Sequence, residues 1–114
     1  WRIAHSGGQA WWPGQMTLTL AAWQAVLVVI PEEMFFRGYV QARLEEAAFG
    51  PHARIIATAA IFAAAHLVVE PDWTRLFVFA PGLVMSWLRE RSGGLLAPAG
   101  FHWLANLVAA WLRL

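Results

Sequence analysis

The pattern along the chain is one of long apolar runs separated by short polar turns. From Met16 to Ile30 the polar residues are Thr17, Thr19 and Gln24. The run passes straight into Pro31-Glu32-Glu33-Met34-Phe35-Phe36-Arg37-Gly38, and helix-forming sequence continues to Phe49. This predicts one long helix over 16–49, stopped at Gly50-Pro51. It exceeds the roughly 20 residues that a membrane span needs, so its last turns, with Arg43, Glu45 and Glu46, should project into the interface. Pro31 removes a helical hydrogen bond and should kink this helix just before the carboxylates.

The same reading predicts three more helices. The second, over 52–69, carries the small residues Ala57-Thr58-Ala59-Ala60 and Ala63-Ala64-Ala65, which allow close helix approach in lipid. The third, over 73–91, holds Pro81-Gly82, where a kink or break is expected. The fourth, over 95–114, has Pro98 in its first turn, where proline is tolerated. Residues 1–15, with Trp11-Trp12 and Pro13-Gly14, read as a loop or membrane-surface segment, since tryptophan favours the headgroup level. No strand is expected. The fold class is therefore all-α, a polytopic transmembrane helical bundle over 16–114.

Composition supports this. Hydrophobic residues make up 60% of the 114 and charged residues 13%, with a mean hydropathy of +0.52; a soluble domain carries about 25% charged residues. A net charge of +1 provides no basic patch for nucleic acid. The absence of cysteine rules out disulfide and thiol chemistry. The chain opens on Trp1 and reads as a piece of a longer protein, with further spans expected upstream. In an up-down arrangement Arg43, Arg54, Arg89 and Arg91 share one side and Arg2, Arg75 and Arg113 the other, which favours the first as cytoplasmic.

Against this background the polar residues at depth stand out. Ionised groups inside a membrane are costly and are retained where they are used. Glu33 and Arg37, four apart, can pair on one helix face. Glu32 lies about 100° round and is left free to act. His66 lies on the second helix, His102 and Asn106 on the fourth. Each alone reads as a packing residue or as interhelical glue. Counted from the shared side, however, Glu32, His66, His102 and Asn106 all fall about eight to fourteen residues in. At about 1.5 Å per residue that places them near a common level, as a buried active site requires.

These residues also carry a resemblance. Glu32-Glu33-Met34-Phe35-Phe36-Arg37, Phe62-Ala63-Ala64-Ala65-His66 and His102-Trp103-Leu104-Ala105-Asn106 are similar to the three ordered motifs of the CPBP family. That family comprises the CAAX proteases and bacteriocin-processing enzymes and includes the type II CAAX prenyl endopeptidases. The resemblance runs from about Val28 to the C-terminus and is to the bacterial branch. It implies intramembrane proteolysis in the bacterial cytoplasmic membrane, with the lipid bilayer and a peptide or membrane-protein substrate as partners. By the resemblance Glu32 and His66 activate a water, His102 and Asn106 stabilise the oxyanion, and Glu33 and Arg37 hold the site together. Phe62 packs beside His66 without a chemical role.

Glu32, His66 and His102 are also legitimate zinc ligands. The metal-free mechanism is preferred, because the second and third motifs explain themselves as water and oxyanion partners. The alternative to an enzyme is a non-catalytic membrane protein with the same polar core, serving bacteriocin self-immunity or partner binding. A transporter with a proton-carrying glutamate would instead need polar groups strung along a path.

Overall fold

The computed structural model describes residues 18–112. The surface segment expected over 1–15, the start of the first expected helix and the last two residues of the fourth lie outside the described residues. Among the described residues four helices are formed: α1 (Leu18–Glu46), α2 (Pro51–Val69), α3 (Phe79–Ser92) and α4 (Leu96–Trp111). No strand occurs among the described residues. The expected order and number hold, and the differences lie in how the elements begin, end and wind.

In α1 the irregularity expected at Pro31 takes the form of two π-helical stretches, Ala25–Val29 and Met34–Val40, on either side of the α-turn Ile30–Glu33. Proline has no N–H to return to the ladder, and wider turns around it re-route the bonds. The Ile30 N–H donates to the Ala25 carbonyl and the Gln41 N–H to the Phe36 carbonyl, each five residues back. The helix then stops at Glu46 without glycine. Ala48 takes the left-handed conformation at φ 69°. Its N–H donates to the Glu45 carbonyl, while that of Phe49 reaches back to Leu44, both at 3.0 Å. This is a Schellman closure. Gly50, the expected stop, is instead the extended N-cap of α2, with Pro51 at its first position.

The third expected helix is split. Trp73–Val78 is a 3-10 turn, started by Asp72 accepting from the Thr74 N–H, and α3 proper begins at Phe79. Pro81 therefore falls in the first turn of α3 and breaks nothing. The transition lies before the Pro81-Gly82 pair and not within it.

Side-chain contacts fix the relative directions. Arg37 with Gly82, Gln41 with Ser86 and Glu45 with Arg89 are linked at offsets of 45, 45 and 44 residues, so α1 and α3 run parallel. Gln41 and Arg54 both hold Glu90, Arg54 by two bonds of 2.7 Å. The end of α1, the start of α2 and the end of α3 are thus tied on one side of the bundle. Arg43 and Glu46 project there and pair with each other while exposed.

The distribution of polarity is inverted relative to a water-soluble bundle. The buried set contains Gln24, Glu33, Arg37, Gln41, Thr58, Ser86 and His102 alongside Val29, Phe36, Phe62 and Met85. Trp23, Leu27, Ile30, Phe35, Tyr39, Ile56 and Trp87 face outward. α1 and α2 are each long and apolar enough to cross a membrane. An apolar exterior around a polar interior is what lipid as solvent selects, because buried polar groups are then the ones that need partners.

Candidate active site

The site is assembled on α1, whose α-turn Ile30–Glu33 presents both carboxylates toward α4. Glu33 and Arg37 pair at 3.1 Å with both side chains essentially inaccessible. Arg37 also donates from Nη2 to the Gly82 carbonyl at 3.1 Å, and its guanidinium lies 4.5 Å from the centre of the Phe62 ring. The buried arginine is thus partnered by one carboxylate, one backbone carbonyl and one aromatic face, while its Nε has no hydrogen-bond partner.

His102 joins the two carboxylates. Its Nδ1 lies 2.7 Å from Glu33 Oε2 and its Nε2 3.4 Å from Glu32 Oε1. A carboxylate accepts, so Nδ1 is the donor toward Glu33 and Nε2 faces Glu32. The roughly 100° between Glu32 and Glu33 on the helix does not keep them apart, because an imidazole with two nitrogens spans it. The two differ in exposure: the Glu33 side chain is 1% exposed and that of Glu32 34%. Glu33 is locked between Arg37 and His102, whereas Glu32 reaches solvent-accessible space.

His66 packs against the Phe62 ring. Its Nδ1 is 2.9 Å from the Phe62 carbonyl. A carbonyl only accepts, which places the proton on Nδ1 and leaves Nε2 as the acceptor in the neutral ring. The Phe62 ring makes edge contacts with His66 at 4.4 Å, His102 at 5.8 Å and Phe36 at 5.1 Å between centroids. It is therefore the body around which the two histidines and Arg37 are arranged, which spacing alone did not reveal.

Asn106 lies one turn beyond His102 on α4 and donates from Nδ2 to Gln24 Oε1 at 2.9 Å. Beside it, Trp103 Nε1 donates to the Ala21 carbonyl at 2.9 Å. Gln24 and Gly82 are the contributors that the sequence reading missed. Gln24 carried a signal, being a lone amide in an apolar run; a backbone carbonyl carries none.

Among the described residues no group of three His, Asp or Glu side chains is gathered as a metal-binding set. Glu32, His66 and His102 are not gathered as such a set, and each histidine engages the Phe62 carbonyl or Glu33 through Nδ1, a contact that orients the ring and by itself leaves Nε2 open to a ligand role.

A helical bundle with two candidate spans, and with carboxylate, histidine and amide groups at its interior on α1, α2 and α4, is consistent with a membrane protein that has a polar site between its helices. Compared with known families, residues 14–108 match the type II CAAX prenyl endopeptidase Rce1-like family, and the chain belongs to it. No curated protein and no solved structure was found to match. The family carries protease activity and a membrane location to this chain, and implies a membrane-associated peptide substrate.

Proposed function

We propose that the protein is a metal-free intramembrane endopeptidase of the bacterial cytoplasmic membrane. Glu32 and His66 activate the attacking water, and His102 and Asn106 stabilise the oxyanion. The observation that carries this reading is the division of labour between the adjacent carboxylates. Glu33 is buried with its Oε2 held by both Arg37 and His102, while Glu32, beside the same imidazole, stays accessible. A general base must reach water, and of the two Glu32 can.

In this reading Glu32 takes a proton from water as the oxygen attacks the scissile carbonyl, with the unprotonated Nε2 of His66 as the second acceptor. Charge develops on the carbonyl oxygen and is met by the Nε2 edge of His102, when that nitrogen carries a proton, and by the Asn106 amide. Such donors act strongly where water is excluded. The proton held by Glu32 passes to the leaving amine, and the peptide bond breaks. Glu33 and Arg37 hold His102 in register.

Substrates of the CAAX type, or other peptides and membrane-protein tails, suit a site reached from an apolar surface. The test is cleavage of a prenylated CAAX-type peptide by the protein in liposomes. Glu32→Gln and His66→Ala should each lower kcat by about 10²–10⁴-fold. Retention of cleavage in either variant would remove that residue from the mechanism.

A further inference from the structure

We propose that Gln24 is a positioning residue, holding the Asn106 amide so that its second N–H is directed at the oxyanion. The inference rests on the proposed oxyanion role of Asn106. Gln24 is 6% exposed in an otherwise apolar stretch of α1, and its side-chain carbonyl accepts from Asn106 Nδ2 at 2.9 Å. A primary amide has two N–H donors. With one given to Gln24, the plane of the Asn106 amide is fixed and the direction of the other donor is set.

The winding of α1 makes this contact. Eight residues of regular α-helix separate Gln24 from Glu32, which would put the two about 80° apart around the axis. The π stretch Ala25–Val29 begins immediately after Gln24. A π turn takes one residue more than an α turn, which returns Gln24 to within about 20° of Glu32. His102 and Asn106, one turn apart on α4, then meet Glu32 and Gln24 on one side of α1. The π stretch thus serves the site by bringing the base and the amide's anchor to the same face. Trp103, donating to the Ala21 carbonyl, fixes the register of the two helices beside that anchor.

Interhelical adhesion alone would also place an amide pair here, and the two roles separate experimentally. Labelling with [15N]asparagine, with Asn106→Ala to assign the signal, picks out the Asn106 side-chain amide in the NMR spectrum. In the wild type one of its two protons should exchange slowly. Gln24→Met, of similar length but without an acceptor, should lose that protection, and Gln24→Glu, which keeps an acceptor oxygen, should retain it. In the peptide cleavage assay Gln24→Met should lower kcat by about tenfold, with KM within about twofold, and Gln24→Glu should recover most of it.

An unchanged amide signal in Gln24→Met overturns the contact, whether or not a cleavable peptide is in hand. A lost signal with kcat unchanged overturns the positioning role and leaves adhesion. If Asn106→Ala itself leaves kcat unaltered, the oxyanion reading fails, independently of the amide signal.

Discussion

At the scale of single residues the site is held by a charge that cannot be left alone. Arg37 is fully buried and its partners are Glu33, the Gly82 carbonyl and the Phe62 ring. Removing one member of a buried ion pair strands the other, at a cost of about 3–5 kcal/mol. Arg37→Met should therefore lower stability by that order in detergent unfolding experiments. Glu33→Leu combined with Arg37→Met should recover stability while still lacking activity, because His102 then loses its Nδ1 acceptor. A double variant as unstable as Arg37→Met would show that the pair itself is not what stabilises this region. The pairing of Glu33 with Arg37 was legible in their spacing, since two charges four apart in an apolar run have few other ways to be satisfied. That one imidazole would touch both carboxylates was not, because it depends on the approach of a helix 69 residues away.

At the scale of elements, boundaries and winding are where pattern reading failed, for identifiable reasons. Glycine marks helix ends, and by that rule Gly50 reads as the stop of the first helix, whereas Ala48 adopts the left-handed conformation itself and Gly50 caps the next helix. A non-glycine residue there costs about 1 kcal/mol. Ala48→Gly should accordingly raise stability by up to about 1 kcal/mol, read as a shift of the thermal midpoint; a lower midpoint would contradict the strained closure. Gly93, also left-handed at φ 75°, already uses the residue that such a position favours.

The small residues of α2 were legible as a packing surface, and Ala59 does meet Gly82 of α3. A methyl group added at Gly82 would lie 3.1 Å from Phe62 and 3.5 Å from Ala59. Gly82→Ala should cost about 1–3 kcal/mol through overpacking. It should also lower cleavage, since the ring that it displaces orders both histidines. Activity unaffected by this substitution would show that Phe62 does not transmit position to them. The π stretches left no mark in hydrophobic periodicity, which a single absorbed residue shifts without erasing.

At the scale of the whole molecule the sequence was most informative. A bundle with an apolar exterior and a polar interior follows from composition and run length, and both survive local errors of one or two residues at each helix end. The family match over residues 14–108 brings protease activity to the chain. What spacing could place only at a common level, the fold connects. Arg37, Glu33, His102 and Glu32 form one chain of contacts, Phe62 joins His66 to it, and Asn106 is anchored one turn away by Gln24.

The central claim is that this cluster hydrolyses a peptide bond with Glu32 and His66 activating water and no metal required. The most direct measurement is cleavage of a prenylated CAAX-type peptide by liposome-reconstituted wild type, Glu32→Gln and His66→Ala, each with and without a strong zinc chelator. The account predicts cleavage by the wild type that the chelator leaves unchanged, and a fall of at least about 100-fold in both variants. Wild-type cleavage abolished by the chelator and restored by zinc, or cleavage that persists in both variants, would contradict it.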